Sequence, residues 1–468
     1  MSLLTALFDQ GKIYNFEHAF GGAKDITTQA MQEAIKDWAW LYYQTQPTKD
    51  EDPCQRIPAV VVTKLTKTTF AEYVAAPAKQ SNGSEFIVAV LAALEHRRKK
   101  AMQQALIGGQ CFLKPIFGPQ GLAFSVIPRG CYIPLGRDEQ DNITDIGTAE
   151  RTIQGRSYFT LLERRTVDVN GYLTIRNKLF MSDSEDVLGQ EVSLTSLEKY
   201  VQLVPEYTYT TPVYSLGLIP IKTPMENCVD GSPEPVAVYA PAVGLIHNIN
   251  RNEALLNGEF DRGQSRIIVP ETMMKRDDKT GRRGLVGNVF SAGPMLDSEN
   301  ITIFSPELRE ASFLARKTEY LRNVESLIGL KRGLLSEVEA QERTAKEITS
   351  SEGDYNLTII DFQEMWEGAV REAVRVCVVL GRMYEVYKGP DIDPEKDVTI
   401  SWGNGILYDE DQVWVELKGM AAAGMLKPEI AVGWYFDMPY ETPADLQKIR
   451  EKYMPEIEEM IAGGDGEE

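Results

Sequence analysis

Apolar residues recur at three- and four-residue steps through two long stretches in the C-terminal half of the chain. The first, Leu308, Ala311, Leu314, Leu321, Val324 and Ile328, is the stripe of a one-sided helix. The second runs from about Ala345 to Lys388 through Ile348, Leu357, Ile360, Phe362, Met365, Trp366, Val370, Val374, Cys377, Leu380 and Tyr384. Some forty residues of continuous helix would extend about 60 Å, roughly twice the width of a small domain. Between the two patterns, residues 329–342 fit neither: glycines at 329 and 333 and mixed charge predict an exposed loop.

The N-terminal half opens on a helix. Thr27 or Thr28 stands as its N-cap before Met31, Ala34, Ile35, Trp38, Leu41 and Tyr42. Prolines and charges put Thr45–Pro58 in a loop, and Ala59–Tyr73 reads as helical. Ser84 is placed to cap a helix that runs through Leu94, carries His96, Arg97, Arg98, Lys99 and Lys100, and ends at Gly108-Gly109. That basic cluster reads either as a solvated face that complements the helix dipole or as a contact for phosphates or an acidic partner. From Cys111 to Ile219 strands replace helices, at 111–117, 122–127, 146–153, 158–167, 171–181 and 206–213. They predict one meander with a two-residue hairpin turn at Asn170-Gly171. After a proline-rich loop, Pro235–Asp261 reads as a helix. A β-bearing insert closed by a strand at Ile301–Phe304 then leads to the helix from Pro306. Past the long helix come a strand at Val398 and helices at Asp409–Ala423, Pro428–Trp434 and Thr442–Met460. The pattern is α+β.

Composition narrows the function. Over 468 residues, 49 basic and 69 acidic side chains give a net charge of −20. A broad basic grip on nucleic acid is therefore disfavoured, whereas a surface past which nucleic acid slides is not. Cys54, Cys111, Cys131, Cys228 and Cys377 have no CxxC spacing, and His18, His96 and His247 are isolated, so reduced thiols and no metal site are expected. His247 reads as a core or interface histidine. There is no basic leader at the N-terminus and no apolar run long enough to span a membrane. Walker, HExxH, GxSxG and dinucleotide-binding motifs are absent, so neither an enzyme nor a cofactor is expected. A hydrolase built on one of the acidic pairs is the weakest of the readings.

Four stretches carry a resemblance. They are Gln103–Pro115 leading into the strands, Asn252–Pro270 ending the helix before the insert, Arg343–Tyr355 opening the long helix, and Trp402–Asp411 following it. In that order they resemble the portal proteins of tailed, DNA-packaging bacteriophages, most of all those of phages and prophages of Gram-positive hosts. The resemblance spans roughly residues 25–450, with departures in wording at 343–348 and 402–406. It implies the portal fold: an N-terminal arm (1–25), a wing of helices and β-meander (26–234), stem helices (235–263 and 306–328), a small α/β clip (264–305), a tunnel loop (329–342), a long wing helix with its following strand (343–404), a helical crown (405–460) and an acidic tail (461–468).

The implied assembly is a cyclic ring, a dodecamer by family habit, at the unique capsid vertex of the virion and in the host cytoplasm during assembly. Implied partners are the large terminase subunit, the head–tail adaptor, the major capsid and scaffolding proteins, and double-stranded DNA passing through transiently and without sequence preference. The resemblance makes Lys331, Arg332, Leu334, Leu335, Glu337, Glu339 and Arg343 the DNA-facing loop residues. It makes Lys275, Arg276, Lys279, Arg282 and Arg283 the docking surface of the clip. The alternative reading is a cyclic adaptor of another assembly with no DNA in its pore.

Overall fold

The computed structural model describes residues 16–43, 53–78, 83–118, 121–185, 187–263, 266–269, 289–291, 302–304, 307–336, 345–403, 410–436, 438–440 and 442–454. The chain is α+β and divides into two compact units, Met1–Ile400 and Ser401–Glu468. A short helix α1 (Phe16–Phe20) precedes α2 (Gln29–Tyr43). The Thr28 hydroxyl accepts the Met31 amide at 3.2 Å, so α2 starts at its expected cap and buries Met31, Ile35, Trp38 and Leu41.

Helix α3 (Ile57–Thr69) begins inside the segment that its prolines had assigned to a loop. Pro58 sits in the first turn, where a missing N–H costs no hydrogen bond. Strand β1 (Val74–Pro77) follows. The expected single helix through the basic cluster is two helices, α4 (Ser84–Glu95) and α5 (Arg98–Gly108). Gly83, left-handed at φ 69°, precedes α4, and Ser84 is already inside the helix rather than capping it. The break lets Arg97 Nε reach the Phe124 carbonyl at 3.0 Å and sets Arg98 over the rings of Phe70 and Tyr73. These are tertiary contacts with no trace in the helical period.

The expected meander is two sheets. Strands β2 (Gln110–Gly118) and β3 (Gly121–Ile127) form a hairpin. The other sheet begins with β4 (Tyr132–Arg137), β5 (Ile143–Gln154) and β6 (Ser157–Val167), all antiparallel. It continues through β7 (Leu173–Ser182) to β8 (Gln190–Val192), while a short β9 (Glu206–Thr208) also pairs with β7. Strand β10 (Ile219–Lys222) joins β2, Ile221 opposite Cys111, to complete the first sheet. Pro128 and the tight turn Arg129–Cys131 end one sheet and start the other.

The turn between β6 and β7 spans three residues, not two. Asp168 N–H donates to the Tyr172 carbonyl, the Asp168 carboxylate accepts the Asn170 and Tyr172 amides, and Gly171 takes φ 83°. This is a turn ending in a left-handed glycine, the next commonest hairpin geometry.

Pro235–Tyr239 is not helical. Val236–Tyr239 are wholly buried in a segment pinned by Val238 N–H to the Leu106 carbonyl and by Tyr239 OH near the carbonyls of Trp38 and Ile107. Helix α6 therefore starts at Val243 and runs to Arg262. Helix α7 (Glu310–Ile328) returns antiparallel beside it. Asn252 Nδ2 donates to the Phe313 carbonyl at 3.0 Å, Lys317 pairs with Glu253 at 2.8 Å, and Arg309 clasps Glu259 with two bonds of 2.8 and 2.9 Å. Asn252 and Glu253 meet residues 313 and 317, while Glu259, further along α6, meets Arg309, which fixes the antiparallel register of the hairpin. Between the two helices, β11 (Arg266–Val269) pairs in parallel with β12 (Val289–Ser291) and antiparallel with β13 (Thr302–Phe304).

Helix α8 (Ala345–Met383) has 39 residues, so it is about 58 Å long. Phe362, Trp366, Val370, Ala373, Val374 and Cys377 form its buried stripe against α3, α4 and β10, with Trp366 edge-on to Phe70 at 5.3 Å. Glu385, left-handed at φ 57°, turns the chain back. A short turn, α9 (Pro394–Asp397), leads into β14 (Val398–Ser401), which joins β1.

In the second unit, α10 (Glu410–Ala422) packs on α11 (Pro428–Tyr435), which packs on α12 (Pro443–Tyr453). Thr442 caps α12 through the Asp445 amide, Phe436 stacks on Tyr453 at 4.3 Å, and Arg450 Nε meets Glu429 at 2.8 Å. The expected extension of α12 to Met460 falls mostly outside the described residues. So do residues 1–15 of the arm, the tail 461–468 and most of the Trp402–Asp411 stretch.

A buried ionic clamp joins the β10-β2-β3 sheet to the sheet of β4–β9. Glu163 on β6 meets Lys114 of β2 at 2.6 Å and Arg165 at 2.7 Å, and Arg165 also donates to the Leu216 carbonyl. Burial alone would raise the Glu163 pKa, but Arg165 and Lys114 outweigh it and hold the carboxyl at about 2. Because this lies below the unfolded value of 4.5, the ionised group contributes stability that is complete above about pH 4.5 and lost as pH falls toward 2. The difference is worth roughly 3 kcal/mol. Denaturation measured from pH 5 to 2 is expected to show a steeper loss for the wild type than for Glu163→Gln; equal slopes contradict the clamp.

Candidate functional site: the helical hairpin and the loop behind it

Helix α7 ends at Gly329, left-handed at φ 73°, and the Leu330 amide returns to the Glu325 carbonyl at 2.8 Å. Glycine suits this position: any other residue would take a left-handed backbone and put a Cβ 2.4 Å from Thr358 Oγ1 of α8, which would have to move. The hairpin is thus docked against the long helix at its loop end, while its other end carries the strands β11–β13.

One turn before Gly329, the Glu325 side chain is wholly buried. Its carboxylate accepts the amides of Gly333 at 3.2 Å, Leu335 at 2.5 Å and Ser336 at 2.9 Å, and the Ser336 hydroxyl at 2.9 Å. Lys64 of α3 donates to the Leu334 carbonyl. Leu330 and Ser336 are buried at the two ends of this turn, while Lys331, Arg332 and Gly333 are exposed between them. Residues 330–336 are therefore a knuckle closed on Glu325, exposed at its tip as expected from glycine and charge but buried at its two ends.

Of the expected DNA-facing residues, Lys331 and Arg332 lie at the exposed tip, whereas Leu334 and Leu335 are half-buried with their backbone tied down. The Glu325 carboxylate holds Leu335 and Lys64 holds Leu334. Glu337, Glu339 and Arg343 lie outside the described residues, as do all five expected clip residues, Lys275, Arg276, Lys279, Arg282 and Arg283. Glu325 and Lys64 were not expected. The sequence does hold a signal for Glu325: Leu321, Val324 and Ile328 define the inward stripe of α7, and an acid at 325 falls on it.

The outer face of the hairpin mixes ion pairs with apolar groups. Leu255 and Phe260 on α6 and Leu314 and Leu327 on α7 are each about half exposed. A cleft of about 700 Å³ opens between α8, the β4–β5 turn and β10. Asp361, Glu364 and Glu372 line it on the helix side, with Arg137, Lys222 and Tyr214 opposite. Tyr214 is left-handed at φ 53° and covers Gly171, where a Cβ would meet its ring at 2.4 Å. Below the cleft, Glu234 is buried between Arg137 at 2.5 Å and Arg129 at 3.4 Å, a charge-satisfied support.

His247 is at the junction of α6 with α2 rather than in the core, its Nε2 at 2.9 Å from Asp37 and its ring stacked on Trp40. The five cysteines are unpaired; burial pushes the Cys111 and Cys377 thiols up strongly, and Cys131 up to about 12. Among the described residues no group of acidic, His and Cys side chains could hold a metal, and no helix is long and apolar enough to cross a membrane.

Gly329→Ala adds a left-handed strain of about 1–2 kcal/mol to the clash with Thr358. Thermal unfolding of this variant is expected at a clearly lower temperature than the wild type, and an unchanged midpoint contradicts the docking described.

No protein-family model matches the sequence, and no curated protein matches it. Among solved structures, the chain is similar to one in the neck of a native GTA particle computed with C12 symmetry, at 12% identity and a TM-score of 0.43, covering 90% of this chain and 97% of that one. That likeness is too loose to assign either a fold family or a function.

Proposed function

We propose that the chain is a subunit of a ring-shaped portal, a structural channel rather than an enzyme, through which double-stranded DNA is packaged into a capsid and later leaves it. The observation that carries this reading is the hairpin α6–α7. It bears a three-stranded element at one end and is locked at the other, through Gly329, to a helix of 39 residues. A closed ring of identical subunits needs two different contact faces on each. The half-exposed Leu255, Phe260, Leu314 and Leu327 suit burial against a neighbouring hairpin.

In this reading the residues around β11–β13 form the clip, which meets the terminase motor and then the head–tail adaptor. The β-rich region and α8 form the wing, facing capsid and scaffolding proteins, and α10–α12 form the crown. Lys331 and Arg332 touch passing phosphates in brief, sequence-independent contacts. The net charge of −20 keeps the rest of the wall from holding DNA.

The mass of the purified protein tests the assembly: a single multiple of the 52.4 kDa chain, centred on twelve, is expected, and a stable monomer overturns the reading. For the loop, point changes are cleaner than removing residues 331–340, because that deletion would strip the amides from buried Glu325. Lys331→Gln with Arg332→Gln is expected to leave rings intact and to lower the salt slope of DNA retention by about one per cation per engaged subunit. An unchanged slope removes these two residues from the channel wall.

A further inference from the structure

We propose that Glu325 is the positioning residue of this loop: an internal latch that holds residues 330–336 in one shape and presents Arg332, with Lys331, as a preformed cationic tip for phosphate oxygens. The latch stands on geometry alone; the phosphate role rests on the portal reading.

A carboxylate in the last turn of a helix opposes the helix dipole, so Glu325 is not there to stabilise α7. A buried, unsatisfied carboxylate would cost several kcal/mol. Here the described groups that satisfy it all come from 8 to 11 residues ahead, three backbone amides and one hydroxyl. Such bonds to a charged acceptor are about twice as strong as neutral ones. The whole carboxylate is therefore spent on the shape of the loop's root.

Two further ties act in the same sense. Lys64 holds the Leu334 carbonyl from α3, and Leu330 and Ser336 are buried at the two ends. What is left outside is a tip of Lys331, Arg332 and Gly333, with Gly333 left-handed at φ 91° to close the bend. A tip ordered before contact loses little conformational freedom on each encounter with an anion. That suits a contact made and broken many times along a moving strand.

Hydrogen exchange on the assembled protein, read on peptides spanning 330–336, tests the latch. The wild type is expected to protect the Gly333, Leu335 and Ser336 amides. Glu325→Gln is expected to speed their exchange about tenfold or more, the scale of a lost charge-assisted hydrogen bond. Ser336→Ala, which removes one bond of the set, gives a smaller rise, and with Lys64→Met it carries the test if Glu325→Gln fails to fold. Unprotected wild-type amides, or equal exchange in all variants, overturn the latch.

DNA retention against salt separates positioning from direct contact. Glu325→Gln keeps both cations, so its salt slope should match the wild type while retention falls at every salt concentration; Arg332→Gln should change the slope itself. Retention equal to the wild type in Glu325→Gln rejects the positioning role. A protein with a protected loop that forms no ring, or whose ring retains no DNA, refutes the portal reading and leaves the latch in place.

Discussion

The meeting of Gly329, at the end of α7, with Thr358 of α8 is the constraint on which the turn behind the hairpin depends. A helical hairpin and a 39-residue helix can be joined in many ways; here the joint passes through a left-handed glycine, where an added Cβ would stand 2.4 Å from Thr358 Oγ1. Once the chain passes that point, Leu330 is buried, the Glu325 carboxylate comes within reach of the amides ahead of it, and the tip at Lys331 and Arg332 is turned outward. The loop's shape follows from that meeting and from one buried acid.

Buried charge is used the same way elsewhere. Glu163 ties the two sheets through Lys114 and Arg165, and Glu234 sits between Arg129 and Arg137 beneath the cleft. Each is a carboxylate removed from water, costly alone and satisfied by cations that include at least one from a distant part of the sequence. In a chain of net charge −20, these are acids that do not add to the repulsion of the surface. They fix relative positions of sheets, strand ends and loop, which apolar packing would leave freer.

The sequence showed what local rules control. The Thr28 cap, the end of α10 before a left-handed Gly424, and most strands are where periodicity and turn chemistry put them, whereas α8 stops at Met383, short of the expected Lys388, because Glu385 takes a left-handed turn. What it concealed depended on contacts between remote segments. Val236–Tyr239 look helical but are drawn out by the Leu106 carbonyl and by Thr223, so α6 starts late. The strands from 111 to 213 read as one meander because β10, which completes the smaller sheet about a hundred residues from β2, runs into what reads as a proline-rich loop. The basic helix breaks at Arg97 for a carbonyl on β3. At the candidate site the exposed cations were legible as charges on a glycine loop. The acid that organises them was not, although its place on the apolar stripe of α7 marked it.

We propose that this chain lines a DNA channel as one of many identical subunits. Electron cryomicroscopy of the purified assembly tests it most directly. The account predicts an open ring, with α6–α7 hairpins side by side, Arg332 of every subunit facing a central pore, and a bore wide enough for duplex DNA. A closed or narrow centre, or a ring with Lys331 and Arg332 on its outer surface, would contradict it.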